Sequence, residues 1–184
     1  MLAARILEVA RDSFAQNGWA GTTVRGVARE AGVDPALVYH YFATKDGLLD
    51  AATTPPPAFL QGVAATWAGP VPELGASLVE TTLRNWDDPE LGSAIRAILL
   101  IAAHHGPTRE RLVGIVRGGL MGPATVGADE TERERRAGLV ATQLIGLAFM
   151  RSIWRVEPVA SMTVAELVAA VGPTVQRYVE GEIA

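Results

Sequence analysis

The sequence predicts an all-α protein. Three observations carry that expectation. Apolar residues recur at helical spacing along the chain, whereas runs alternating apolar with polar residues and rich in Val, Ile and Thr do not occur. Asp and Thr residues stand where helix N-caps are wanted. Glycine and proline punctuate the periodic segments.

Leu2, Ile6, Val9, Ala10 and Phe14 define the buried side of a first helix, which the dipeptide Asn17–Gly18 is expected to stop. A short second helix is expected from Thr22 or Thr23 to Gly32, where a left-handed turn suits glycine. Asp34 caps a third helix with Pro35 at its first position, and Thr44 caps a fourth with Asp46 in its first turn. The prolines of "TTPPP", 53–57, cannot continue a helix and mark the expected boundary between two domains, 1–52 and 53–184. Beyond them, helices are expected near 58–67, 72–86, 89–104, 108–119, 130–156 and 163–181. Asp88 precedes Pro89, and Asp129/Glu132 and Thr163/Glu166 have capping-box spacing. The glycine-rich stretch 118–129 reads as a loop. Nothing repeats, and there is no low-complexity tail.

A chain of 184 residues with 49% apolar content can bury a sizeable core. It has no cysteine, which excludes disulfides and thiolate metal sites and fits a reducing compartment. No signal peptide is read at the start, and the expected location is the cytoplasm. The apolar run 137–150 is too short to span a membrane. A helix that is apolar nearly all round needs cover, and a second subunit is the simplest cover. The net charge of −4 gives no long-range attraction to nucleic acid. Within residues 1–50, Arg5, Arg11, Arg25, Arg29 and Lys45 face six acids, so DNA binding there would rest on a few placed contacts.

Such contacts are offered by "DPALVYHYFATK", 34–45. Successive helical positions point about 100° apart, so four consecutive rings cannot all face a core. Val38 and Phe42 share a face and can pack, with Val33, on the second helix and on Phe14. Tyr39 and His40 then face away, with Tyr41 at the edge. Together with Pro35, Ala36 and Leu37 they form a surface of rings and small apolar groups. Phenol and imidazole can donate to phosphate, while Ala, Pro and Leu can meet thymine methyls in a major groove. Lys45, the chain's only lysine, follows at the start of the fourth helix.

"TTVRGVAREAGVDPALVYHYFATKDGLL", preceded by "ILEVARDSFAQNGWAG", closely resembles the helix-turn-helix segment of the tetracycline-repressor (TetR, AcrR-type) family of bacterial transcriptional regulators. The resemblance runs to about residue 50, with the helix-turn-helix near 23–42. More weakly, "WDDPE" and "QLIGLAFMRSIWRVEPVAS" resemble an actinobacterial-type C-terminal domain of that family. The resemblance implies a three-helix DNA-binding head on a larger helical ligand-binding and dimerisation domain. It implies a homodimer through the last two helices, about 130–156 and 163–181, that binds a double-stranded DNA operator. A small molecule in the larger domain would move the heads apart. Position by position, it places groove contacts on Pro35, Ala36, Leu37 and Tyr41, and phosphate contacts on Thr23, Arg25, Tyr39, His40 and Lys45. Tyr41 stands where His is frequent, and Leu37 is larger than usual, which bears on base preference. The first helix opens almost at Met1, so the basic arm many members carry is missing or was not included.

For the ligand, an apolar pocket with a few polar groups is expected, drawn from Trp67, Trp86, His104, His105, Met121, Gln143, Phe149, Met150 and Trp154. Gln143, polar within an apolar helix, needs a partner if buried. Adjacent His104 and His105 diverge on a helix and chelate poorly, so neither metal nor cofactor is expected. Two other functions compete with regulation. An enzyme would need a nucleophile–base arrangement, and Ser77, Ser93, Ser152 and the histidines supply no such motif. A helical ligand-binding protein without DNA contact is suggested only by the near-neutral head.

Overall fold

The computed structural model describes residues 2–116 and 129–183, and all regular structure among these residues is helical. By contacts the chain divides into two units. One comprises Met1–Pro56 with Ser93–Leu112, and the other Pro57–Gly92 with Val113–Ala184.

The first unit contains α1 (Leu2–Gly21), α2 (Val24–Ala31), α3 (Pro35–Phe42) and α4 (Lys45–Ala52). It also takes α7 (Pro89–His104) from Ser93 on, and most of α8 (Gly106–Ile115). Its core gathers Ile6, Ala10 and Phe14 of α1, Val27 and Ala28 of α2, Val38 of α3, Leu48 and Leu49 of α4, and Ile101 of α7. Val33 and Phe42 pack against that core, as the apolar spacing predicts. The expected caps form. Thr23 Oγ1 accepts from Gly26 N at 3.0 Å, Asp34 Oδ1 from Ala36 N at 2.7 Å and Thr44 Oγ1 from Gly47 N at 2.9 Å. Gly32 takes the expected left-handed conformation, φ 71°.

At Asn17–Gly18 the outcome is subtler than a stop. Helical geometry breaks at Gly18, φ 66° and ψ −176°, in a region essentially restricted to glycine. The chain then turns once more, to Gly21. Buried Thr22 closes this turn by donating from Oγ1 to the Gly18 carbonyl at 2.9 Å. From α8, Arg111 pairs with Asp50 at 2.7 Å and also donates to Thr53, at the end of α4.

The second unit contains α5 (Pro57–Trp67), α6 (Leu74–Asp87), α9 (Glu130–Ala148) and α10 (Val164–Glu180). Trp67, Leu78, Leu83, Val140, Leu144, Leu167 and Val175 lie in its core. The expected helix from 72 starts as a 3-10 turn, Val71–Glu73, and becomes α-helical at Leu74. α6 and α10 pack so closely that a Cβ on Gly75 would stand 2.4 Å from the Gly172 carbonyl. Gln176 locks this crossing, accepting from Gly75 N at 2.6 Å and donating to Val71 O at 2.8 Å.

The helix expected over 130–156 is α-helical only to Ala148. It continues as a π-helical turn, Phe149–Ile153, where Trp154 N donates to Phe149 O at 3.0 Å. The wider turn coincides with an ion pair of Arg151 to Asp87, 2.5 Å, and an edge-to-face contact of Phe149 with Trp154. Asp129 caps α9 by accepting from Glu132 N at 2.8 Å, and Thr163 with Glu166 forms a complete capping box on α10. Arg136, buried on α9, ties the ends of two helices together. It donates to Glu132 on its own helix and to the Tyr178 and Gly181 carbonyls at the end of α10. The expected loop at 118–129 lies, except for Asp129, outside the described residues. So does the end of the helix expected at 108–119, whose described part is α8.

Candidate nucleic-acid interface

α2 and α3 form the helix-turn-helix. α2 buries Val24, Val27, Ala28 and Ala31, leaving Arg25 exposed on the outward side. α3, of the same length, buries only Val38. Its remaining surface is open. Tyr39 is 51% exposed and Tyr41 47%, which leaves about half of each of these large residues in water. His40 and Ala36 are exposed, Pro35 and Leu37 half-buried. His40 and Tyr41 stack edge to face, their centroids 5.4 Å apart, so the cluster is partly self-supporting. Thr23 is exposed, but its hydroxyl oxygen is already engaged as the cap of α2.

The passage from α3 to α4 is tight. Ala43 has φ 58° and ψ −49°, and Thr44 N donates to Phe42 O at 2.6 Å, which is a γ-turn. This left-handed conformation is strained for alanine, and it delivers Lys45 directly behind the recognition helix. The first turn of α4 then presses on the end of α3, because Gly47 has no side chain to hold them apart.

Trp19 belongs to this surface and escaped the sequence reading. It follows the break at Gly18 and is 44% exposed. The Lys45 ammonium lies 3.9 Å from the centroid of its ring, and its Nε1–H donates to Asp46 Oδ1 at 3.0 Å. Trp19 and Lys45 are 26 positions apart, beyond any local pattern; the only signal was a bulky ring next to a glycine break.

The surface thus combines exposed rings, an outward arginine and a stacked lysine on three short helices. Such a set can donate hydrogen bonds to phosphate oxygens and place apolar groups against base edges.

The expected ligand-pocket residues stand in different environments, and among them Phe149 and Trp154 meet edge to face. Trp67 and Trp86 are buried, Trp67 within the core of the second unit. Gln143 and Phe149 are half-buried. Met150 and Trp154 stand in solvent, Trp154 at 66%. His104 is exposed at the end of α7 in the first unit. His105 Nδ1 meets Thr108 Oγ1 at 2.8 Å, an α8 start contact rather than a ligand group. Met121 lies outside the described residues. Among the described residues no cluster of three or more His, Asp or Glu could hold a metal ion, and no helix is long and apolar enough to cross a membrane.

Comparison with known proteins adds an independent line. Residues 6–52 match the family model described as bacterial regulatory proteins of the tetR family. Residues 72–179 match that of the tetracyclin repressor-like C-terminal domain. A transcriptional repressor of Mycobacterium tuberculosis is 44% identical over 50 residues, and the regulator BetI of Paraburkholderia xenovorans 42% identical over 48. These matches span only 27% and 25% of those relatives' lengths, and 27% and 26% of this chain. A solved regulator from Streptomyces coelicolor is 34% identical, covers 95% of this chain and 92% of its own, and superposes with a TM-score of 0.68. FadR of Bacillus subtilis, solved with stearoyl-CoA, shares the fold with a TM-score of 0.53 at 16% identity, over 97% of this chain and 98% of its own.

Proposed function

The chain belongs to the TetR family of transcriptional regulators, and from that premise we propose that it is a ligand-responsive repressor that binds a pseudo-palindromic DNA operator as a homodimer. The observation that carries the DNA contact is the uncovered surface of α3. Tyr39 and Tyr41, each about half in water beside His40, form a contiguous aromatic patch on one short helix, and such a patch suits a partner surface. In this reading α3 enters the major groove with Pro35, Ala36, Leu37 and Tyr41 toward the base edges. Thr23, Arg25, Tyr39, His40 and Lys45 reach the flanking phosphates. Thr23 Oγ1 accepts from Gly26 N in capping α2, which leaves its O–H to donate to a phosphate. A DNA operator places the protein in the cytoplasm.

The homodimer is supported by what α9 and α10 leave uncovered. α9 buries Ala137, Val140, Ala141, Leu144 and Ala148 in its own unit, and exposes Gly138, Thr142 and Gly146 at four-residue spacing. α10 exposes Ala165, Ala169 and Pro173 at the same spacing. Uncharged small side chains on two adjacent helices suit the close approach of a second copy, and a two-fold arrangement matches a two-fold operator.

Release follows from linkage. A small molecule in the larger domain acts only by favouring the head spacing that mismatches the operator over the one that fits it. Trp86, Gln143 and Phe149 are the residues to examine for that ligand.

The test is DNA binding by salt titration. Lys45→Ala and Tyr39→Ala are expected to weaken binding to every duplex, Lys45→Ala lowering the salt slope by about 2 for the dimer, about 1 for each lysine removed. Changes at Ala36 or Leu37 are expected to alter sequence preference instead. Mutants that bind like the wild type would mean that α3 is not the recognition helix.

A further inference from the structure

We infer that Trp19 is a positioning residue for DNA binding: its indole holds the Lys45 ammonium in place for a backbone phosphate. The inference rests on the proposed DNA contact of Lys45 and adds a residue to it. One ring meets two consecutive residues at the start of α4. Its face lies under the Lys45 ammonium at 3.9 Å, and its edge donates to the Asp46 carboxylate at 3.0 Å. The ring reaches this place because Gly18 adopts a backbone conformation that side-chain-bearing residues rarely take. The fixed turn between α3 and α4 sets the other half of the contact.

The chemistry explains why a ring serves better here than a carboxylate. A lysine side chain has a flexible four-carbon stem, and freezing it on a phosphate loses rotamer freedom. Stacking on the indole removes part of that freedom before DNA arrives. The ring's quadrupole attracts the cation without cancelling its charge. No carboxylate among the described residues forms an ion pair with Lys45. Asp46, the adjacent acid, is instead engaged by the indole N–H. The ammonium is therefore without a carboxylate ion pair among the described residues and open to a phosphate.

The experiment is a double-mutant cycle on the full chain. The ligand is a mixed-sequence DNA duplex of about three helical turns, titrated over a salt series. Trp19→Leu keeps apolar bulk and removes the π face, and Lys45→Met keeps the stem and removes the charge. Trp19→Leu is expected to weaken binding about two- to five-fold beside Lys45, the strength of an exposed cation–π contact. In the Lys45→Met background the same change is expected to do nothing. Trp19→Phe, which retains a ring, should lose less than Trp19→Leu. Equal losses with and without Lys45 would reduce Trp19 to a general structural role and overturn the inference, as would no loss at all. If the wild-type protein binds no duplex even at low salt, the proposed DNA function fails first, and this inference falls with it.

Discussion

A Cβ added to Gly47 would stand 2.2 Å from the carbonyl oxygen of Phe42. The last residue of the recognition helix and the first turn of α4 are therefore in direct backbone contact. No larger residue fits between them, because the obstacle is backbone rather than the end of a flexible side chain. The γ-turn at Ala43 and the Thr44 cap complete a rigid corner that sets where Lys45 stands relative to Tyr39 and Tyr41.

Gly47→Ala is accordingly expected to destabilise the protein by about 1–3 kcal/mol, the cost of overpacking a tight contact. Chemical denaturation measures this directly. The same variant should bind DNA more weakly at temperatures where it remains folded, because the corner must open. Unchanged stability would mean that α3 and α4 are not in contact as described.

Gly146→Glu tests the dimer. Nothing lies within 4 Å of a Cβ at this position, and glutamate is a better helix former than glycine, so the protomer itself should tolerate the change. At a two-fold interface the carboxylate would be buried unpaired beside its own copy, which costs several kcal/mol. Sedimentation should therefore report a monomer for the variant and a dimer for the wild type. A dimeric variant would place the interface elsewhere.

Asp12 gives a pH-dependent signature. Asp12 is exposed, and partial desolvation of its carboxyl, then the Glu8 and Glu30 carboxylates, push its pKa above the ordinary value. A raised carboxyl pKa means the ionised form is disfavoured in the folded state. Stability from this group thus rises as pH falls through the folded pKa, and is lowest above it. Asp12→Asn is expected to raise the melting temperature at neutral pH. That gain should vanish once the pH drops below the ordinary carboxylate range, where the native residue is protonated in both states. A gain independent of pH would point to a different cause.

Local chemistry made much of this molecule legible. Thr23, Asp34, Thr44, Asp88, Asp129 and Thr163 each cap the helix their position suggested, because a cap is a contact between residues two or three apart. The inward set of Val38, Phe42 and Phe14 followed from helical spacing. What stayed hidden was long-range. Ser93–Leu112 shares a unit with Met1–Pro56 through contacts such as Arg111 with Asp50, 61 positions apart, which no periodicity encodes. Trp19 meets Lys45 across a gap of 26 positions, by a glycine conformation that reads in sequence as a simple stop. The π-helical turn after Ala148 has no signature in a run of apolar residues that would fit an α-helix equally well. The pocket residues were named by type, and type does not say which rings end in a core, as Trp67 does, or in water, as Trp154 does.

The central claim is that a two-fold symmetric pair of α3 helices reads DNA. Selection of bound sequences from a random duplex pool tests it most directly, with wild-type protein beside Tyr39→Ala. The expected result is enrichment of a two-fold symmetric motif whose half-sites lie about one helical turn or more apart, and its loss in the variant. Absence of any enriched motif at low salt, or the same motif retained by Tyr39→Ala, would contradict it.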